Sequence, residues 1–288
     1  MGGSELEVTR LALGSWRTFE RIPRERGVAV MRAAREAGIA FLDDARYNDE
    51  TATAPIPTGY SEVVFGELFR ATGWVRDEVV VANKLWWEFW PEQSAEQEID
   101  GSLGRMGLDH VDLIYAERLP AGLSVEDAVR AVAALVGTGK ARAWGVLNWP
   151  AARIAEAASF AAAEGLPGPC AAQLPYSLVR RSPVEDPDVV AALRDGGISV
   201  VASAVMEGGA LTGRGELRDD RATDEMRRAG ARVRRVAAEL GVPAGALAIA
   251  FALANPAVAS VLFGASRPEQ IAENVAALDV TAEQLARL

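Results

Sequence analysis

Residues 111–147 read VDLIYAERLPAGLSVEDAVRAVAALVGTGKARAWGVL, and they contain one complete strand–helix–strand unit. Two short apolar runs, Val111–Tyr115 and Ala143–Leu147, flank a longer segment, Ser124–Val136, whose apolar residues recur at helical spacing. The two runs are nearly all apolar instead of alternating, which is typical of parallel strands covered on both faces. The stretch therefore predicts one β/α unit of a parallel sheet.

The same unit recurs along the whole chain of 288 residues. Further strand-like runs lie at Leu11–Trp16, Ile39–Leu42, Val79–Ala82, Ala171–Leu174, Ile198–Ala202 and Val258–Phe263. Further helical segments lie at Pro23–Ala37, Ser61–Ala71, Pro91–Met106, Pro150–Glu164, Val184–Arg194 and Ala244–Ala254. Eight alternations without a linker predict one domain over residues 1–288, a single (β/α)8 TIM barrel. An open doubly wound sheet is the alternative, but the sequence has no Gly-x-Gly-x-x-Gly turn after its first strand.

Composition excludes several classes of function. The formal net charge is −10, so the surface repels nucleic acid and anionic lipid, and neither is an expected partner. No apolar run approaches the ~20 residues of a membrane span. One cysteine, Cys170, and one histidine, His110, leave no ligands for a disulfide framework, a zinc site or a Ser-His-Asp triad, so no metal is expected. The polar start of the chain lacks a signal peptide, which favours a cytoplasmic location.

Two polar insertions interrupt the repeat, Asn48–Tyr60 after the second strand and Glu207–Asp224 after the seventh. Both follow strand ends, where barrel enzymes carry their substrate loops. Polar residues also come at or just after the ends of the apolar runs, namely Asp43, Lys84, Glu117, Asn148, Gln173, Ser203 and Gly264. We expect them to converge on one rim of the barrel.

Three of these rim residues suggest acid–base chemistry. Asp43, Lys84 and Glu117 end three successive strands, so their charges would interact. A lysine and an aspartate beside a tyrosine would lower the pKa of the phenol and prepare it for proton transfer. Tyr47 and Tyr60 are the tyrosines within reach.

Seven segments, in order, resemble characteristic segments of the aldo-keto reductase superfamily. They are Gly27–Tyr47 (GVAVMRAAREAGIAFLDDARY), Ser61–Leu68 (SEVVFGEL), Val79–Lys84 (VVVANK), Leu108–Tyr115 (LDHVDLIY), Gly139–Asn148 (GKARAWGVLN), Gly208–Arg214 (GGALTGR) and Phe263–Asn274 (FGASRPEQIAEN). The resemblance covers nearly the whole chain. It implies a (β/α)8 barrel that binds NAD(P)H and reduces a small molecule.

The resemblance also implies a tetrad of aspartate, tyrosine, lysine and histidine. Asp43 and Lys84 match the aspartate and the lysine. Tyr47 matches the tyrosine, although it lies one residue closer to Asp43 than in the usual pattern, so Tyr60 stays open as a second candidate. The histidine position is occupied by Glu117. The same replacement marks the steroid 5β-reductases of this family, in which a neutral glutamate accompanies reduction of a C=C bond conjugated to a ketone.

Cofactor positions follow from the same resemblance. Asn148 and Gln173 match residues that bond the nicotinamide carboxamide, and Ser203 falls where many members stack an aromatic ring. The other implied cofactor contacts are Gly209, Leu211, Gly264, Ser266, Arg267, Gln270, Glu273 and Asn274. Arg267 offers a fork of donors for a 2′-phosphate, which favours NADPH over NADH.

These assignments predict hydride transfer from NADPH to an activated C=C bond, or to a C=O or C=N bond. Tyr47 and a protonated Glu117 would donate hydrogen bonds to the oxygen that gains negative charge. Burial and Asp43 would raise the pKa of Glu117, whereas Lys84 or Arg118 would lower it. An ordinary carbonyl reductase remains an alternative.

The resemblance also implies an aromatic substrate pocket, because Trp16, Trp86 and Trp149 lie where the family lines its pocket, and Tyr60 is expected there as well. The expected substrate is a small flat or apolar molecule, and the chain is expected to be a monomer or a weak homo-oligomer. Two further functions stay open. One is an NADPH-binding sensor or regulatory subunit, as potassium-channel β subunits of this family are, and the other is an isomerase or dehydratase with Glu117 as the base.

Overall fold

A computed structural model describes residues 1–213 and 223–288. Its strands pair in chain order, each parallel to the next, and the eighth pairs with the first, so the sheet closes into a barrel. The strands are β1 Leu11–Gly14, β2 Phe41–Asp43, β3 Val80–Leu85, β4 Val111–Ala116, β5 Ala141–Leu147, β6 Ala171–Pro175, β7 Ser199–Ser203 and β8 Val258–Phe263. The predicted barrel is confirmed.

Helices surround the barrel on the outside. They are α1 Arg24–Glu36, α2 Tyr60–Thr72, α3 Ala95–Met106, α4 Val125–Gly137, α5 Ala151–Glu164, α6 Ser182–Glu185, α7 Pro187–Asp195, α8 Asp224–Leu240, α9 Ala244–Leu253, α10 Glu269–Val275 and α11 Ala282–Leu285. Within the described residues, no single helix is long and apolar enough to cross a membrane, and α8 with α9 reaches that length only as a pair bent by 104°.

Four predicted elements differ from the structure. The helix predicted over Val184–Arg194 is two helices, because Pro187 forces Asp186 out of helical backbone and the Asp186 side chain then caps α7. The helix predicted from Pro91 starts only at Ala95, since Ser94 closes a capping box with Gln97.

The insertion predicted over Glu207–Asp224 is the third difference. It ends where the long helix α8 begins, and the sequence reasoning missed this helix. Residues 214–222 of the insertion lie outside the described residues. The strand run predicted over Val79–Ala82 is also too short, because β3 continues to Leu85, so Lys84 lies inside the strand instead of after it.

Alternating side chains place the polar residues inside the barrel. On β4, Leu113 and Tyr115 belong to the interior cluster, whereas Ile114 packs against the surrounding helices. The same period of two holds on the other strands. Asp43 is in phase with Phe41, Lys84 with Ala82 and Gln173 with Ala171, and all three of those apolar partners belong to the interior cluster. Strand phase therefore directs these three polar side chains into the barrel near its carboxyl end.

The loops at that end carry unusual backbone. Among the described residues, the non-glycine residues with positive φ are Arg17, Ala52, Trp87, Asn148, Ala204 and Glu207. Each of them lies between the end of a strand and the start of the next α-helix. Left-handed backbone in a non-glycine residue costs free energy and persists where the surrounding contacts fix it, often at ligand sites. The strained residues therefore lie at the carboxyl end of the barrel strands, where barrel enzymes have their active sites.

The close approach of α2 to α3 generates a stability prediction. A Cβ at Gly66 would lie 2.1 Å from the carbonyl oxygen of Met106, whereas a Cβ at Gly104, on α3, would meet no atom within 4 Å. Gly66→Ala should therefore lower the free energy of unfolding by about 3 kcal/mol, near the upper end of usual overpacking penalties. Gly104→Ala should raise it by roughly 0.5–1 kcal/mol, because alanine is the better helix former.

Urea unfolding followed by tryptophan fluorescence measures both effects in the same helical pair. Equal unfolding midpoints for the two variants would contradict the α2–α3 contact as described.

Candidate active site

The buried ammonium group of Lys84 is the centre of the polar cluster inside the barrel. Only 3% of this residue is exposed. Its Nζ donates to the carboxylate of Asp43, to the backbone carbonyl oxygen of Asp44 at 3.2 Å and to the hydroxyl of Tyr47 at 3.2 Å. A lysine ammonium has three donors. All three are therefore satisfied by oxygen atoms of β2 and of the segment that follows it.

Gln173 extends this cluster across the barrel from β6. Its Nε2 donates to the second carboxylate oxygen of Asp43 at 2.9 Å. A carboxylate accepts only, so the amide nitrogen must face Asp43, and the Gln173 Oε1 is left as an acceptor. We call Asp43, Tyr47, Lys84 and Gln173 the Lys84 network.

The network keeps the phenol protonated. Burial raises the pKa of Tyr47, and Asp43 adds to this, so the opposing charge of Lys84 does not prevent a net rise. Burial lowers the pKa of Lys84, but Asp43 and Tyr47 outweigh burial and raise it. Lys84 does act to lower the phenol pKa, but the expected net lowering is wrong, because desolvation dominates. Tyr47 accepts a hydrogen bond from the ammonium and keeps its own hydrogen as a donor.

The structure distinguishes the two candidate tyrosines. Tyr60 is the first residue of α2, and its hydroxyl accepts a hydrogen bond from Arg24 at 2.8 Å. Tyr47 is the one bonded to Lys84. Its ring also contacts two tryptophans, Trp16 at 6.5 Å and Trp86 at 5.9 Å between centroids.

A cavity of about 650 Å³ opens beside Tyr47, between the loop after β1 and the insertion after β2. Its lining includes Trp16, Arg17, Glu20, Arg21, Tyr47, Glu50, Thr53 and Tyr60. A volume of this size suits a small organic ligand. Trp149, predicted in the pocket wall, is 4% exposed, and its indole N–H donates to the backbone oxygen of Glu117 at 2.8 Å.

Glu117 follows β4 and lies next to the Lys84 network without joining it. Its backbone N–H donates to the carbonyl oxygen of Leu85 at 3.0 Å. Nδ2 of Asn148 donates to the Glu117 carboxylate at 3.4 Å. Among the described residues, this carboxylate accepts no side-chain hydrogen bond from Lys84 or Tyr47. Glu117 is therefore a second acidic group at the rim. Its carboxylate is held by Asn148, the residue that follows β5.

Burial has the largest effect on the pKa of Glu117. Desolvation raises the pKa of Glu117 more than the hydrogen bonds from Arg118 and Asn148 and the charges of Arg118 and Lys84 lower it. The net pKa lies above the usual glutamate range. The protonated form is favoured over a wider pH range than in an exposed glutamate.

The residues expected at the cofactor lie around the same rim. Ser203 is the last residue of β7, Gly209 has φ 98°, and Leu211 is fully buried. Oε1 of Gln270 accepts from the backbone N–H groups of Ser266 and Arg267, at 2.8 and 3.0 Å, and thereby folds the loop after β8. Gly264 and Arg267 are exposed, and Asn274 is buried on α10, where Glu273 is half-buried. Their cofactor roles stay predictions.

Sequence reasoning missed one part of the site. Arg17 and Arg21 meet Glu50 in the cavity, although Glu50 lies about thirty residues later in the chain. No spacing or motif marks this contact. The only signal is the charge carried by the two loops that the barrel brings together. Among the described residues, no group of three or more histidine, cysteine, aspartate or glutamate side chains could hold a metal ion.

Comparison with known proteins agrees with this geometry. The sequence model of the aldo/keto reductase family matches residues 10–288. A probable voltage-gated potassium channel subunit beta from Oryza sativa subsp. japonica is 32% identical, over 97% of this chain and 90% of that protein. A probable voltage-gated potassium channel subunit beta from Arabidopsis thaliana is 30% identical over the same shares.

Removal of the buried ammonium should destabilise the fold. Lys84→Met leaves the Asp43 carboxylate buried without a cation, which should lower the free energy of unfolding by about 3–5 kcal/mol. Lys140→Met is the matched control, because Lys140 pairs with Glu96 and Asp100 at the exposed surface. Its unfolding midpoint should stay close to that of the unsubstituted protein. Urea unfolding measures both, and equal midpoints would contradict a structural role of the buried pair.

Proposed function

We propose that this chain, which belongs to the aldo/keto reductase family, is an NADPH-dependent oxidoreductase of a small organic substrate. It transfers hydride to an activated C=C bond, or to a C=O or C=N bond. The observation that supports this most is the Lys84 network, which presents a protonated phenol beside an aromatic cavity. The proposal also treats residues 1–288 as one domain.

The residues present fit a nicotinamide dinucleotide. Among the described residues, the side-chain oxygen of Gln173 accepts no hydrogen bond, so it is suited to the amide N–H of a carboxamide. The exposed guanidinium of Arg267 lies on a loop that Gln270 folds, suited to a phosphate. When bound, NADPH supplies the hydride.

The protein residues then act on the substrate oxygen. As hydride arrives, negative charge develops on that oxygen, and a donor fixed in advance lowers the barrier. Tyr47 is such a donor, because Lys84 occupies its acceptor side and no acceptor in the described part of the chain engages its O–H. The ammonium stays charged and stabilises the phenol oxygen if the proton moves to substrate.

Glu117 directs the reaction toward conjugated substrates. A carboxylate would repel the developing charge, whereas a protonated carboxyl donates to it. Burial, which raises the pKa of Glu117, favours the protonated form. With both Tyr47 and Glu117 donating, a ketone conjugated to C=C is polarised strongly, and its β-carbon becomes the hydride acceptor.

Tyr47→Phe should abolish most turnover while cofactor binding persists. The substitution removes the proposed acid, and general acids contribute typically ~10²–10⁴-fold in rate. Tyr60→Phe, in the same cavity, should keep the rate within about twofold, since its hydroxyl is bonded to Arg24. Turnover is followed by NADPH absorbance, with NADPH binding by fluorescence as the control. A larger loss in Tyr60→Phe than in Tyr47→Phe would assign the role to Tyr60.

The product formed from an enone tests Glu117. Glu117→His should shift products from the saturated ketone toward the allylic alcohol, because histidine does not supply the neutral carboxyl donor. In the unsubstituted protein, the rate of C=C reduction should fall as pH rises through the raised pKa of Glu117. In Glu117→Gln this fall should disappear. Product analysis by chromatography decides, and an unchanged product ratio in Glu117→His would favour an ordinary carbonyl reductase.

A second candidate is an NADPH-binding regulatory subunit, and the two potassium channel subunit relatives favour it. Such a protein needs the cofactor site but no turnover. A panel of enones, aldehydes and imines separates the two functions. Tight NADPH binding with no oxidation on any panel member would favour the regulatory subunit.

A further inference from the structure

Two arginines converge on one carboxylate in the cavity beside Tyr47. Arg17 donates to Oε1 of Glu50 at 2.7 Å, and its Nε lies 2.6 Å from Oε2. Arg21 donates to the same Oε2 at 3.0 Å. Nη2 of each arginine thus donates to a different oxygen of Glu50, and such charge-assisted bonds suit carboxylate recognition. The protein's own Glu50 thus occupies a site built for a carboxylate.

This site lies at a defined place relative to the proposed acid. The Arg17 guanidinium lies 4.6 Å from the centroid of the Trp16 ring, and that ring lies 6.5 Å from the ring of Tyr47. All three residues line the same cavity. A substrate that spans one aromatic ring could therefore place a reducible group at Tyr47 and an anionic group at Arg17.

The backbone at Arg17 supports a role beyond surface pairing. Its φ is 54°, in the left-handed region that side chains with a Cβ seldom adopt. This conformation directs the side chain back over Trp16 and into the cavity. Residues held in this way collect at ligand sites.

The Glu50 carboxylate is exchangeable. Glu50 and Arg21 are 37% and 36% exposed, and Arg17 is 24% exposed. By contrast, the nearby pair of Arg46 and Glu98 is 4% and 3% exposed. Exposed ion pairs contribute little stability because water and salt compete for both charges. A ligand carboxylate can therefore replace Glu50 at small cost.

After such a replacement, the remaining charged residues around the cavity favour a ligand that carries one negative charge. Glu20 stays with Arg21, at 3.3 Å. Asp49 stays bonded to its own loop, through the backbone N–H groups of Thr51 and Ala54. Arg17 alone would lack a partner among the described residues. One ligand carboxylate would pair with Arg17 and restore the balance of positive and negative charges at this site.

We propose that Arg17 and Arg21 form a carboxylate subsite, which Glu50 occupies until an oxo-acid substrate displaces it. The inference rests on the proposed function and deepens it, because it names the substrate class. That class is aldehydes or enones joined through a flat, ring-sized body to a carboxylate.

Matched acid and ester substrates test the subsite. The pairs are 4-carboxybenzaldehyde with methyl 4-formylbenzoate, and 4-(4-carboxyphenyl)but-3-en-2-one with its methyl ester. Arg17→Gln should raise KM for the acids about tenfold, the loss expected for one charge-assisted bond, and leave the esters within about twofold. Arg21→Gln should act in the same direction. Glu50→Gln should lower KM for the acids, because the competing charge is gone.

Arg130→Gln is the control, since Arg130 is an exposed arginine on α4 that pairs with Asp127, outside the cavity. It should change neither substrate class. An equal change of KM for acid and ester in Arg17→Gln would overturn the subsite and leave the ion pair as a loop contact only. A higher KM for the acids in Glu50→Gln would overturn it as well.

A binding measurement tests the carboxylate subsite independently of the proposed reaction. If the unsubstituted protein reduces neither these acids and esters nor any enone, aldehyde or imine of the panel, the proposed function fails. Calorimetry with 4-(hydroxymethyl)benzoate, the alcohol of the first pair, then tests the subsite alone. Binding that weakens about tenfold in Arg17→Gln supports the subsite, and equal or absent binding in both proteins overturns it.

Discussion

The buried ammonium of Lys84 is the constraint on which the site depends. A charge removed from water is tolerated only when it is paired and hydrogen-bonded. Its three acceptors come from β2 and the segment after it, and Asp43 is tied in turn to Gln173 on β6. These atoms meet only when the sheet closes, because β2 and β6 stand apart in the strand order. The geometry of the phenol is thus a consequence of barrel closure.

The two acids of the rim differ in how the fold holds them. Tyr47 is fixed by a hydrogen bond from the Lys84 ammonium. Glu117 accepts a hydrogen bond from Asn148 instead, and Lys84 affects it only through its charge, which lowers the pKa of Glu117. Burial nevertheless raises the pKa of both groups. Desolvation therefore favours the neutral, hydrogen-bond-donating form of both groups.

The part of the site that the sequence could predict depends on the alternation of inward and outward side chains along each strand. Period-two alternation on parallel strands is a local property, so the inward placement of Asp43, Lys84 and Gln173 was within reach of sequence reasoning. The contact of Arg17 with Glu50 was not, because two loops are brought together only by the closed barrel. The choice between the two tyrosines likewise depends on a tertiary contact, the bond from Arg24 that engages one of them. The long helix α8 was missed although its local signal was present, since Val233, Val236 and Ala237 recur at helical spacing and are buried.

The enzyme and the regulatory subunit can share the same interior. A buried pair such as Asp43 and Lys84 would persist in either, since loss of one partner leaves an uncompensated charge inside the barrel. Its presence therefore does not separate the two functions. The hydroxyl of Tyr47 does not separate them either, because it is one of the three acceptors of the buried ammonium. The carboxyl of Glu117 is different, since among the described residues it bonds Asn148 and neither Lys84 nor Asp43. Discrimination between the two functions therefore depends most on Glu117, whose carboxyl the stability of the buried pair does not require.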